Sequence, residues 1–121
     1  MQATSVNFKV LGNSYLVDFP NNDQLIRIEL MKMETSRGSY TNMIISKTVS
    51  SRITLDMIDM IAHVTVLVPK LVEDLKVPNK NLLEMNIFDS KALFKEYKKQ
   101  LLPWITEWMQ ELRKFDEDEK E

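Results

Sequence analysis

Only two glycines and four prolines punctuate 121 residues. So few breakers cannot supply the frequent turns of an all-β sandwich or barrel, so the backbone is confined largely to helices. The same scarcity leaves no material for glycine-rich phosphate cradles, and G-x-x-x-x-G-K, G-x-G-x-x-G and G-x-S-x-G are all absent. Hydrophobic residues make up 44% of the chain and charged residues 28%. That balance supports one buried core and excludes a disordered polymer.

The first glycine marks the one place where β-structure is expected. In VNFKVLGNSYLVDF a two-residue turn at Gly12-Asn13 would set Val6 opposite Phe19, Phe8 opposite Val17 and Val10 opposite Tyr15, all on one face. Asn7 with Asp18, Lys9 with Leu16 and Leu11 with Ser14 would take the other. The hairpin, over about 6–19, is too small to stand alone and must cover something.

Downstream the apolar period is helical. Pro20 closes the hairpin, and Asn21 to Asp23 offer N-caps for a helix over about 22–36, with Gly38 as its stop. A short helix over 40–46 is read from Tyr40, Met43 and Ile44. From Thr54 to Leu75 the residues Met57, Ile61, Val64, Val68, Leu71 and Leu75 recur at steps of three and four, with Pro69 kinking or restarting the helix. A linker then leads to Asp89 or Ser90 as the cap of a long amphipathic helix over about 90–115, bent at Pro103. The fold class is α+β, mostly α: a hairpin packed on three to four helices, one compact domain over 1–115, and an acidic tail over 116–121.

Charge and composition exclude several functions. The last six residues, DEDEKE, carry a net −4 against +2 for the rest of the chain, far from the basic stripe that nucleic-acid binding needs. No cysteine means no disulfide, no thiolate metal site and no cysteine nucleophile. The longest apolar stretch, MIDMIAHVTVLV (57–68), falls short of the ~20 residues that span a bilayer. The N-terminus has neither a basic nor an apolar leader region, so a soluble cytoplasmic protein with no membrane partner is expected.

Candidate chemistry is sparse. His63, the one histidine, has Asp59 four residues before it, which reads as an ion pair or hydrogen bond on a helix surface, since neither a nucleophile nor a third ligand accompanies it. Asp56 with Asp59 and Glu73 with Asp74 read as solvated helix faces. No catalytic residue, cofactor or metal site is expected, and the chain is read as no enzyme. Lys91, Lys95, Lys98 and Lys99, with Arg113 and Lys114 beyond them, form the polar side of the last helix; a small nucleic-acid-binding regulator using that face is the alternative reading. The eight methionines are spread along the chain and suit core filling.

The last helix carries the strongest functional signal. Leu101, Trp104, Ile105, Trp108, Met109 and Leu112 make a broad apolar stripe, and Trp and Met are enriched where proteins meet. Trp104 is expected to point inward and Trp108 to stay available to another chain, so that Trp108→Ala would weaken partner binding while leaving stability nearly unchanged.

In layout, FKVLGNSYLVDFP leading into a helix, MIAHVTVLVPKLVEDL and YKKQLLPWITEWMQEL resemble small structural or assembly proteins of tailed bacteriophages, among them tail assembly chaperones and head or tail fittings. The resemblance implies a non-enzymatic protein-interaction module. Its partners would be phage structural or tail proteins or further copies of itself, and it would work in the cytoplasm of a bacterial host or within the virion. It carries over no functional residue.

Overall fold

The computed structural model describes the backbone of residues 4–119 and the side chains as far as residue 114. Two strands, β1 (Ser5–Val10) and β2 (Asn13–Asp18), form an antiparallel ribbon. Helices α1 (Asn22–Thr35), α2 (Tyr40–Ser46), α3 (Val49–Leu67) and α4 (Pro69–Leu75) follow, then two short 3₁₀ turns, Pro78–Lys80 and Leu82–Glu84. A final rod runs through α5 (Ile87–Glu96), a π turn (Tyr97–Leu101) and α6 (Leu102–Glu119). The architecture is α+β and mostly α. Its last helix extends into the segment expected to be a tail, while the apolar position Phe115 lies outside the described side chains.

The ribbon buries the expected face in a different register. Val6 pairs with Val17, Phe8 with Tyr15 and Val10 with Asn13. The turn is Leu11-Gly12, not Gly12-Asn13, and both residues hold positive φ, 51° and 81°. Positive φ at both central residues is the type I′ pattern, whose twist matches that of a hairpin. Moving every partner by two residues preserves the faces, because side chains alternate with period two. Phe8, Val10, Tyr15 and Val17 are therefore buried as expected, and Leu16 on the opposite face is exposed.

Helix α3 is the centre of the core. The stripe read from its sequence is buried at Ile61 and Val64, and so are Ile58, Met60, Ala62, His63, Val66 and Leu67 around it. Helices α1 and α2 pack against α3, the terminal rod meets it through the Tyr97 contact with His63, and the buried face of the ribbon joins the same core. Pro69 acts as expected, restarting the chain as the first residue of α4 after Val68 leaves helical geometry at φ −130° and ψ 58°. Asn21 caps α1 with a full capping box, its side chain accepting from the Gln24 N–H at 2.9 Å and its own N–H donating to the Gln24 side chain at 3.0 Å. The N–H of Gly38, at φ 79°, donates to the Met33 carbonyl and closes that helix.

Two helix starts differ from the sequence reading. Helix α3 begins at Val49, capped by Thr48, rather than at Thr54. Helix α5 begins at Ile87, where Asn86 and not Asp89 or Ser90 supplies the cap by accepting from the Phe88 N–H at 2.8 Å. The disturbance expected at Pro103 takes the form of the π turn. Proline cannot donate to the carbonyl four residues back, and the chain widens just before it, so that the Leu102 N–H reaches the Tyr97 carbonyl. That turn also places Gln100 against the edge of β1, where its side-chain amide donates to the Lys9 carbonyl and accepts from the Lys9 N–H, each at 2.8 Å.

Leu11 is a branched, half-exposed residue held in the left-handed region, a conformation that costs an ordinary residue roughly 1–2 kcal/mol and asparagine less. Leu11→Asn is expected to stabilise the protein by about 0.5–1 kcal/mol, read as a rise in the thermal midpoint with the circular dichroism spectrum unchanged. An unchanged or lowered midpoint would show that the Leu11 side chain contributes more than its backbone costs.

Candidate functional site

A groove of about 670 Å³ opens between α1 and α6. Phe19 and Pro20, at the exit of β2, form one end. Leu25 and Ile28 of α1 face Leu102, Ile105, Met109 and Leu112 of α6 across it. Sequence dictates both walls: each helix carries apolar residues at steps of three and four that turn toward the body, and by residues 111–114 α6 has outrun the core it packs on. Glu111, Leu112, Arg113 and Lys114 are all exposed.

The six residues expected to form a partner surface divide between core and groove. Leu101, Trp104 and Ile105 are buried. Trp108 is half-buried, its ring 4.8 Å from that of Phe19, while Trp104 meets the same phenylalanine edge-on at 5.7 Å. Met109 and Leu112 are 44% and 41% exposed and line the groove. Phe19 thus holds both tryptophans, and the expectation that Trp108→Ala would spare stability is revised. An aromatic pair of this kind contributes ~0.5–1.5 kcal/mol beyond its buried area.

The floor of the groove is polar and crowded. Lys32 of α1, nearly buried, sits 3.2 Å from Glu29 and 3.8 Å from Asp59 of α3. The Tyr40 hydroxyl donates to Asp59 at 2.6 Å. Burial raises the Asp59 carboxyl above its ordinary range, opposed by the Tyr40 hydrogen bond and the Lys32 charge. Burial first, then the neighbouring Asp59 carboxylate, keeps the Tyr40 hydroxyl protonated.

His63 does not lie on a helix surface. It is 7% exposed, and its Nδ1 shares a 2.7 Å hydrogen bond with the hydroxyl of Tyr97, whose ring stacks on it at 5.9 Å between centroids. Burial, reinforced by the Lys32 charge, pushes the imidazole down to about 3, so it is neutral at physiological pH. The sequence reading failed here because it treated the Asp56, Asp59, His63 stripe as the wet side of α3, whereas Lys32 of α1 and Tyr40 of α2 meet Asp59, and Tyr97 of the terminal rod meets His63. Among the described residues no group of three or more histidine or acidic side chains is placed to hold a metal ion. No described helix is long and apolar enough to cross a membrane.

A second apolar surface went unread in the sequence. Ile53 and Met57 of α3 and Ile87, Phe88 and Phe94 of α5 line a hollow of about 580 Å³, flanked by Lys91 and Lys95. Phe88 is 79% exposed and Ile87 73%. Both fall in a stretch taken for linker; the missed signal is Asn86, a capping residue that starts a helix and so puts two apolar side chains on its first turn. The hollow also divides the lysine face. Lys98 is drawn to Asp56 at 3.6 Å and lies over the Phe94 ring, whereas neither Lys91 nor Lys95 makes an ion pair among the described residues.

No protein-family model, curated protein or solved structure matches the chain. The reading of these surfaces rests on their own geometry.

The depressed histidine gives a signed expectation. The unfolded chain protonates His63 near pH 6.5 and the folded chain only near 3, so between those values the unfolded state binds the extra proton and stability falls as the pH is lowered. Asp59, raised in the fold, acts in the opposite sense, its contribution fading as the pH rises through its own titration. Denaturant unfolding at pH 7 and pH 5 should show a loss on acidification, with a limiting slope of ~1.4 kcal/mol per pH unit from His63 alone. In His63→Gln this part of the slope should vanish; an equal slope in both proteins would exclude His63 as its source.

Proposed function

We propose that this protein is a non-enzymatic protein-interaction module that grips an apolar segment of a partner in the groove between α1 and α6. The observation that carries the reading is the exposure of Met109 and Leu112 along a groove whose opposite wall and end are also apolar. A sizeable apolar groove with a few charged groups at its base suits a hydrophobic segment oriented by polar contacts. Lys32 and Glu29 on its floor, with Arg113 of α6 also lining it, offer such contacts. Methionine at the rim adds adaptability, since its flexible thioether fits side chains of different shape.

The absence of catalysis is part of the proposal. His63 is neutral and bonded to Tyr97, a pairing that holds α3 against the terminal rod and leaves its Nδ1 engaged. The layout resemblance to small tailed-phage structural and assembly proteins fits a module of this kind. On that reading the partner is a phage structural or tail component, met in the cytoplasm of a bacterial host or in the virion.

Replacing Met109 and Leu112 together by aspartate should abolish retention of the partner by immobilised protein in extracts of the native source. The thermal midpoint should stay within a few degrees of wild type, because both side chains lie outside the buried core and are already partly solvated. Trp108→Ala should lower both binding and the midpoint. If the partner recovered with wild-type protein is retained equally by the double aspartate variant, the groove is not the binding surface.

A further inference from the structure

We propose that the hollow between α3 and α5 receives the acid-bearing end of α6 from a second copy of this chain, in a head-to-tail contact. The two surfaces are complementary in chemistry. The hollow offers an apolar floor of Ile53, Met57, Ile87 and Phe88, flanked by Lys91 and Lys95, two cations with no ion pair among the described residues. From residue 115 the chain reads FDEDEKE, one aromatic side chain followed by five acids and a single lysine. An aromatic anchor with a charged fringe is what such a floor with a basic margin would select, the apolar contact supplying affinity and the charges orientation.

Geometry assigns the occupant to another copy. α5, the π turn and α6 form one helical rod, so Phe115 lies 20 residues beyond Lys95 along it. At 1.5 Å per residue that separation is ~30 Å, and a continuous helix cannot bend its end back onto its own first turns. By residues 111–114 α6 has run clear of the core. Each copy would then carry one donating end and one receiving hollow. A contact of two unlike surfaces does not saturate at a dimer; it continues until a ring closes or a filament grows. The contact is independent of the groove between α1 and α6.

Two variants test this, with mass read by light scattering during size-exclusion chromatography over a concentration series. Phe88→Asp spoils the hollow and leaves the end of α6 intact; its side chain is exposed, so folding should be unaffected. Phe115→Ser with Asp116→Asn, Glu117→Gln, Asp118→Asn and Glu119→Gln spoils the end and leaves the hollow intact. The wild-type chain should grow beyond a dimer as concentration rises, each variant alone should stay monomeric, and an equimolar mixture should give a dimer and nothing larger. The mixture restores one good contact per pair, which neither a symmetric interface nor non-specific association would reproduce. A wild-type chain that is monomeric at several hundred micromolar, a variant that keeps the wild-type mass, or a mixture that stays monomeric would overturn the proposal.

Discussion

The hydrogen bond between His63 and Tyr97 is the contact around which the rest of the molecule is arranged. Helix α3 is buried all round over residues 60–64, and a polar ring enclosed there would cost several kilocalories per mole if its nitrogen found no partner. The tyrosine that answers it stands at the start of the π turn, so one bond fixes both the rotation and the height of the terminal rod against α3. Three residues further on, Gln100 pairs with the main chain of β1 and ties the ribbon to the same turn. Core helix, rod and hairpin thus meet within a single helical turn, whose last residue, Leu101, is fully buried.

That arrangement decides where apolar surface is left over. The rod is longer than the body it packs on, so its final turns carry Met109 and Leu112 past the edge of the core and open a groove against α1. At its other end the first turn of α5 begins before the body is fully closed, leaving Ile87 and Phe88 beside the early turns of α3. The two exposed surfaces are consequences of one mismatch in length between the rod and the body. Their margins differ in charge: mixed beside the groove, and beside the hollow two lysines with no ion pair among the described residues.

Much of this was legible in the sequence wherever a periodic signal met a clear stop. The inward face of the hairpin, an N-cap among Asn21 to Asp23 and the restart at Pro69 follow from local rules. The register of the hairpin did not, because the choice between Leu11-Gly12 and Gly12-Asn13 turns on a left-handed leucine that local preference disfavours. His63 was misplaced for a different reason. A stripe of Asp, Asp and His looks solvated until the helices that cover it are known, and that covering is a tertiary event. The candidate surface was half legible: the stripe of α6 was visible, but where along it burial ends depends on how far the core extends. Ile87 and Phe88 were lost once the cap was placed at Asp89 or Ser90 instead of Asn86.

The π turn has a further meaning for how this chain can vary. A π turn is an α-helix with one residue too many, and each residue of an α-helix turns the chain by about 100°. It works here as a phase shifter, setting the inward stripe of α5, through Ser90, Leu93 and Tyr97, in step with that of α6 through Leu101, Trp104 and Ile105. Were the same residues wound as regular α-helix instead, everything beyond the turn would rotate by about 100°. The tryptophans would swing off Phe19, and the two ends of the rod, one facing the groove and the other the hollow, would no longer be related by the same angle. Point substitution can tune either surface, but their relative bearing is held by the count of residues in one turn.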